Sequence, residues 1–114
     1  MSEQATVQAV RAKLSNGPVR LFRNNTGALQ DKRGTWVRYG LATGSSDLIG
    51  WRTLTVTTDM VGSKVAVFVA LEGKSKTGVA TQEQTAFIAA VKDAGGIAGV
   101  FRSVDEAREL LGVK

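Results

Sequence analysis

The sequence contains no cysteine and no histidine among its 114 residues. The chain therefore has no disulfide, no thiolate or imidazole zinc site, and no catalysis by a cysteine nucleophile or a histidine base. Any metal bound by side chains would be held by carboxylate oxygens, together with backbone carbonyls. These hard ligands are the ones that Mg²⁺ and Mn²⁺ prefer, and zinc is not expected.

Long apolar runs are also absent, since no segment approaches the roughly 20 apolar residues of a membrane-spanning helix. The first eight residues lack the basic start and the apolar stretch of a signal peptide. We therefore expect a soluble, cytoplasmic protein with no membrane partner. Hydrophobic residues make up 43% and charged residues 22% of the chain, which is a globular composition. The length favours a single domain over residues 1–114.

Positive charge is concentrated in the first third of the chain. Lys and Arg total 15 against 10 Asp and Glu, a net charge of +5. Residues 1–40 hold seven basic and two acidic side chains, whereas residues 41–114 hold eight of each. A basic region indicates contact with a polyanion such as nucleic acid, although it can also be an ordinary solvated surface.

Hydrophobic spacing predicts the element order α-β-β-β-β-α-β-α. Helices are predicted to begin at Ser2, Thr81 and Ser103, and Thr81 with Gln84 has the spacing of a capping box. Residues 24–34 are rich in turn formers and predict a loop. Strands are predicted over residues 19–23, 35–39, 52–58, 64–74 and 97–102. The strand-helix-strand order near the end indicates a right-handed parallel crossover, so we expect an α/β fold with a central mixed sheet flanked by helices.

Three charged residues follow segments that are otherwise apolar or turn-forming. Glu72 and Lys74 end an apolar strand, and residues i and i+2 of a strand share a face, about 7 Å apart. Asp47 follows a Gly/Ser-rich turn, and an adjacent strand starting there could bring a second carboxylate to the same sheet edge. Two carboxylates with backbone carbonyls suit Mg²⁺ or Mn²⁺, and a neighbouring lysine can activate the attacking water. This combination permits phosphodiester hydrolysis without histidine.

Each of these residues also has a simpler interpretation. A Glu-x-Lys pair at a strand end is often a solvated ion pair worth about 0–1 kcal/mol. Asp47 after Gly-Ser-Ser is often a turn residue or a cap. The residue types by themselves leave both interpretations open.

Six sequence blocks, taken in order, make the interpretation specific. They are RNNTGA (23–28), VRYGL (37–41), GSSDLIG (44–50), ALEGKS (70–75), TQEQ (81–84) and GGIAGV (95–100), the last followed by RSV (102–104). In this order and spacing the chain resembles the VRR-Nuc family, the virus-type replication-repair nucleases of the PD-(D/E)XK superfamily. The resemblance runs from about residue 20 to residue 111.

The resemblance implies a restriction-endonuclease-like fold and a metal-dependent DNA endonuclease. Stand-alone members, often encoded by phages, are similar to Holliday-junction resolvases and act as homodimers in recombination and repair. This implies a four-way DNA junction as substrate, a homodimer, and the cytoplasm of a bacterium or a phage-infected host. A nuclease that processes flaps, nicks or mismatches, or a non-catalytic nucleic-acid-binding module, are the alternatives.

By position, the resemblance also implies individual roles. Asp47 and Glu72 would bind the metal, the carbonyl of Gly73 would be a third ligand, and Lys74 would orient or activate the attacking water. Gln84 matches the family's glutamine near the metal, beside its capping role. The family usually has a bulky aliphatic residue where this chain has Gly73. It also has a glutamate in the first helix, for which Glu3 is the acidic candidate.

Six residues of the basic region and the loop before Asp47 are expected to contact DNA: Arg23, Asn24, Asn25, Arg38, Ser45 and Ser46. For Arg23, Asn24 and Asn25, a role in forming the loop is an equally good interpretation as DNA contact. Three aromatic residues could stack on unpaired bases, although packing in the core is their commoner use: Trp36, Tyr39 and Trp51.

Overall fold

The computed structural model describes residues 2–114, which form three α-helices, one short 3₁₀ helix and six short strands. The chain divides into an N-terminal unit, Met1–Arg52, and a C-terminal unit, Thr53–Lys114. The N-terminal unit contains α1 (Glu3–Leu14), β1 (Val19–Arg23), β2 (Gly27–Gln30), β3 (Trp36–Tyr39) and β4 (Leu48–Arg52). The C-terminal unit contains a short 3₁₀ helix (Thr58–Met60), β5 (Val69–Gly73), α2 (Gln82–Asp93), β6 (Ile97–Phe101) and α3 (Val104–Leu111).

In the N-terminal unit, β1 and β4 form an antiparallel ladder that ends beside Asp47. Leu21 lies opposite Gly50, and Arg23 lies opposite Leu48. A Cβ atom added to Gly50 would lie 1.7 Å from the carbonyl oxygen of Arg20. The two strands therefore approach so closely at this point that only glycine fits.

The strands β2 and β3 form an antiparallel hairpin where the sequence predicts a loop over residues 24–34. That prediction is wrong because the turn is confined to residues 31–35, where Asp31 Oδ1 accepts hydrogen bonds from the backbone N–H groups of Arg33 (2.8 Å) and Thr35 (2.9 Å). The preceding Gly-Ala-Leu-Gln segment has weak β propensity. Its pairing with β3 imposes the extended conformation.

In the C-terminal unit, β5, α2 and β6 form the predicted crossover, and β5 pairs with β6 in parallel. The helix α2 begins at Thr81 with the predicted capping box: Thr81 Oγ1 accepts from the N–H of Gln84 (3.1 Å), and Gln84 Oε1 accepts from the N–H of Thr81 (2.9 Å). Val91 of α2 and Ala98 of β6 are 1% and 4% exposed and form the buried centre of this unit.

Two strand predictions are corrected by the structure. The strand predicted over 52–58 is wrong: residues 53–57 are irregular, and the strand is β4 over Leu48–Arg52, because that is the segment that pairs with β1. The strand predicted over 64–74 is shorter and begins at Val69, since its ladder with β6 extends only from Val69 to Gly73. Val65 and Val67, at 51% and 50% exposure, lie before it.

The α/β class is confirmed. The strands pair in three two-stranded ladders, of which β1–β4 and β2–β3 are antiparallel and β5–β6 is parallel. No helix of residues 2–114 combines the length and apolar character needed to cross a membrane.

Candidate active site

One side of α1, from Glu3 to Val10, and residues 46–48 at the start of β4 line a cavity of about 560 Å³ in the N-terminal unit. Its lining includes two of the predicted ligands, Glu3 and Asp47. Glu3 lies there because Ser2 caps α1: the Ser2 hydroxyl accepts a hydrogen bond from the N–H of Ala5 at 3.1 Å. The structure therefore brings together the carboxylates of Glu3 and Asp47, which are 44 positions apart in sequence.

The backbone around Asp47 is fastened by Asn24, the residue that follows β1. The N–H of Asn24 donates to the carbonyl oxygen of Asp47 at 2.8 Å, which extends the β1–β4 ladder by one bond. The Asn24 side-chain amide donates to Ser45 Oγ (2.7 Å) and to the carbonyl oxygen of Ser46 (2.9 Å). Its Oδ1 accepts from the N–H of Leu41 at 3.1 Å. Asn24 is thus hydrogen-bonded to two other residues that are predicted to contact DNA, Ser45 and Ser46.

The other residues predicted to contact DNA are two arginines, Arg23 and Arg38, and Asn25, which is hydrogen-bonded to Arg23. Arg23 donates to Gln4 Oε1 in the first turn of α1, and to Asn25 Oδ1 at 2.9 Å. Arg38 donates to Thr43 Oγ1 at 3.3 Å. Arg23 thereby ties the end of β1 to the helix that carries Glu3. DNA contact by these residues stays a prediction.

In the C-terminal unit, Glu72 and Lys74 lie on the same face of β5, as the two-residue spacing predicts. Lys74 Nζ is 4.0 Å from Glu72 Oε2, and the side chains are 18% and 34% exposed, respectively. The N–H of Lys74 donates to the carbonyl oxygen of Phe101 at 3.0 Å, so Lys74 continues the parallel ladder beyond β5. The pair is shielded from solvent more than an ordinary surface ion pair, and its backbone is fixed.

Gly73, between these two residues, lies against the ring of Phe101. A Cβ atom at Gly73 would be 3.0 Å from Phe101 Cζ, and the two residues are directly paired in the ladder. The ring therefore takes up the space next to the glycine. This accounts for the departure from the bulky aliphatic residue that the family usually has there.

Gln84 lines a second cavity, of about 350 Å³, together with Glu72. Its side-chain oxygen is used by the capping box, so its amide nitrogen is the end that can donate to a ligand. Glu83 lines the same cavity, and the sequence interpretation did not select it. The available signal was an acidic residue in the first turn of a helix, which usually indicates only a favourable interaction with the helix dipole.

The donor chemistry of both cavities fits a hard divalent cation, because the charged groups are carboxylates. Glu3 and Asp47 belong to the N-terminal unit, and Glu72 and Glu83 to the C-terminal unit. Within residues 2–114, no three carboxylate side chains are grouped as metal ligands. Each cavity is thus lined by two carboxylates, Glu3 with Asp47 in one unit and Glu72 with Glu83 in the other.

A family model described as the VRR-NUC domain matches residues 2–105. The chain belongs to the VRR-NUC family. The match extends through the N-terminal unit and into the C-terminal unit as far as residue 105, and it contains every predicted site residue, which confirms the resemblance seen in the sequence blocks. No curated protein and no solved structure gives a significant match. This VRR-NUC chain is therefore a nuclease of the PD-(D/E)XK type, a class of domains that generally use divalent metal ions.

Proposed function

We propose that this VRR-NUC domain is an Mg²⁺- or Mn²⁺-dependent endodeoxyribonuclease that hydrolyses phosphodiester bonds. The observation that supports it most strongly is the Glu72–Lys74 pair, with an amine 4.0 Å from a carboxylate at the end of a parallel strand in a chain that matches a nuclease family. An isolated structural ion would gain nothing from this lysine, because a positive charge beside it is repulsive.

The proposed roles follow from what each side chain can donate or accept. Asp47 and Glu72 supply anionic oxygens and Gly73 a carbonyl oxygen, while Glu3 supplies another carboxylate beside Asp47. The ammonium of Lys74 donates hydrogen bonds, so it orients the attacking water and stabilises negative charge that develops on the phosphate. The amide nitrogen of Gln84 donates in the same cavity as Glu72. When bound, Mg²⁺ or Mn²⁺ would lower the pKa of water and polarise the phosphoryl oxygen.

The proposed substrate is a branched DNA, in particular a four-way junction. Resolution of a symmetric junction needs two paired cuts. One small domain with one active site supplies both most simply as a two-fold homodimer. A bacterial or phage-infected cytoplasm, where such junctions form, is the proposed location.

Apolar surface in the N-terminal unit supports the proposed dimer. None of residues 2–52 is fully buried, and three side chains on one face of the β2–β3 hairpin are largely exposed: Leu29 at 64%, Val37 at 49% and Tyr39 at 45%. A two-stranded hairpin with an exposed apolar face gains stability when another surface covers it. In this proposal the cover is a second copy of the chain.

The test is cleavage of a panel of labelled DNA structures with and without Mg²⁺ or Mn²⁺. The panel contains a four-way junction, a flap, a nicked duplex, a mismatch and a plain duplex. The wild type should cut the junction fastest and only with metal, and Glu72→Ala should abolish cutting while leaving binding in place. Glu109→Ala removes an exposed carboxylate of α3 and serves as the matched control with normal activity.

The outcomes separate the alternatives. Preference for a flap, nick or mismatch would overturn junction resolution and leave the metal-dependent nuclease in place. Salt-sensitive binding without cleavage under any metal would indicate a non-catalytic nucleic-acid-binding module.

A further inference from the structure

We propose that Asn24 is a positioning residue for Asp47: it fastens residues 41–46 and sets the backbone from which the Asp47 carboxylate projects. This role rests on the proposed nuclease function, in which the Asp47 carboxylate binds the metal ion. It differs from the DNA contact that the sequence predicts for Asn24, which would need the same amide group to reach a phosphate or a base.

The first argument is the number and direction of the hydrogen bonds. Asn24 makes four: its N–H donates to the Asp47 carbonyl, its amide nitrogen to Ser45 Oγ and the Ser46 carbonyl, and its Oδ1 accepts from the Leu41 N–H. Both hydrogens and the oxygen of the side-chain amide are therefore engaged within the protein. A DNA contact would have to compete with these bonds.

The second argument is that the fastened segment has little order of its own. Residues 40–46, between β3 and the Asp47 that precedes β4, belong to no strand or helix. The loop has one internal backbone hydrogen bond, from the Ser45 N–H to the Ala42 carbonyl at 2.9 Å. Asn24 bonds to its beginning at Leu41 and to its end at Ser45 and Ser46. The side chain of Asn24 thus holds both ends of the loop that leads into Asp47, while Arg38 bonds to its middle at Thr43 Oγ1.

The third argument is the chemistry of the amide. The arrangement needs one acceptor and two donors on a short, planar group, and asparagine alone provides them at this length. Aspartate keeps the acceptor for Leu41 but loses both donors. Alanine makes none of the three side-chain hydrogen bonds. At this half-buried position, Ser45 Oγ, the Ser46 carbonyl and the Leu41 N–H would each lose their bond to residue 24.

The first measurement uses amide hydrogen exchange by NMR on the metal-free full chain. Asn24→Ala should accelerate exchange of the Leu41 N–H by roughly five- to tenfold, because one hydrogen bond of ordinary strength is lost. Asn24→Asp should leave Leu41 within about twofold of the wild type, since its acceptor remains. The N–H of Ile49 in β4 reports on the ladder itself and should stay unchanged in both variants.

The second measurement compares metal and DNA affinity. In Asn24→Ala, the Mn²⁺ dissociation constant should rise by roughly tenfold, and cleavage should recover at saturating Mn²⁺, because a misplaced ligand weakens binding more than it changes the chemistry. Affinity for junction DNA without metal should stay within about twofold. Asn16→Ala, which removes a side-chain hydrogen bond to the Lys13 carbonyl, is the control and should match the wild type throughout.

The results distinguish this proposal from the proposed function. Unchanged exchange of Leu41 in Asn24→Ala overturns the positioning role, whatever the activity. Faster exchange with unchanged Mn²⁺ affinity and weaker DNA binding also overturns it, in favour of a DNA contact. A wild type that neither binds Mn²⁺ nor cuts DNA overturns the nuclease, while Leu41 exchange still decides whether Asn24 holds the loop.

Discussion

The ring of Phe101 lies against the Cα of Gly73, its direct partner in the parallel ladder, and takes up the space that a side chain at position 73 would need. The two residues therefore form one size-matched pair beneath the Glu72–Lys74 backbone. A change in the size of one residue should be felt by the other.

We expect Gly73→Val and Phe101→Val to be coupled. Gly73→Val forces the ring to move, because even its Cβ would be 3.0 Å from Phe101 Cζ, whereas the double variant replaces glycine and a large ring by two medium side chains. The free energy of unfolding of the double variant should exceed the additive expectation by about 1 kcal/mol. Urea unfolding of the wild type and the three variants measures this coupling, and strict additivity would contradict the pairing.

Lys74→Gln should lower the cleavage rate by about 100-fold or more, because the neutral amide cannot replace the ammonium that orients water and stabilises charge on the phosphate. Junction binding, measured with Ca²⁺ in place of the active metal, should change by less than about twofold. Lys92→Gln, an exposed lysine in the last turn of α2, is the control. Normal cleavage by Lys74→Gln would show that another residue handles the water.

The two roles of Gln84 can be separated by comparison with its capping partner. Gln84→Glu keeps the oxygen that accepts from Thr81, so the free energy of unfolding should change by less than about 0.5 kcal/mol. Its cleavage rate should fall by about tenfold, because the donor is gone. Thr81→Ala should do the opposite, with a loss of about 1 kcal/mol of stability and normal cleavage. Equal cleavage rates of the wild type and Gln84→Glu would show that Gln84 only caps the helix and has no role in cleavage.

The β2–β3 hairpin gives a test of the proposed dimer. Val37→Lys places a charge on the apolar face that includes Leu29, so the dimer dissociation constant should rise by tenfold or more, a change of about 1.4 kcal/mol. Gln30→Lys adds the same charge on the other face of the hairpin and should leave the dimer intact. Sedimentation velocity across a concentration series measures both, and an unchanged dimer in Val37→Lys would place the interface elsewhere.

The features predicted correctly from the sequence depend on short-range signals. Thr81 and Gln84 are three residues apart, and the capping box is found as predicted. The alternation that places Glu72 and Lys74 on one face is a property of any strand, and the 4.0 Å distance agrees with it. The parallel crossover follows from the order of β5, α2 and β6.

The features that were missed depend on partners distant in sequence. The hairpin strand β2 forms because β3 pairs with it, and the predicted strand over 64–74 is cut to Val69–Gly73 by the length of β6. The bonds of Asn24 reach residues 17 to 23 positions away, so no local pattern shows them. The sequence alone was enough to select the candidate site residues. It could not show that Asn24 holds the loop before Asp47, because that depends on hydrogen bonds between residues distant in sequence.

Lys74 continues the β5–β6 ladder through its own N–H, and this has a consequence for protein engineering. Because the pleat reverses the side-chain direction at every residue up to that bond, inserting or deleting one residue between the acid and the amine would turn the amine to the opposite side. Redesign of this motif should therefore exchange side chains at a constant spacing, because any odd change in its length moves the amine away from the face that carries the acid.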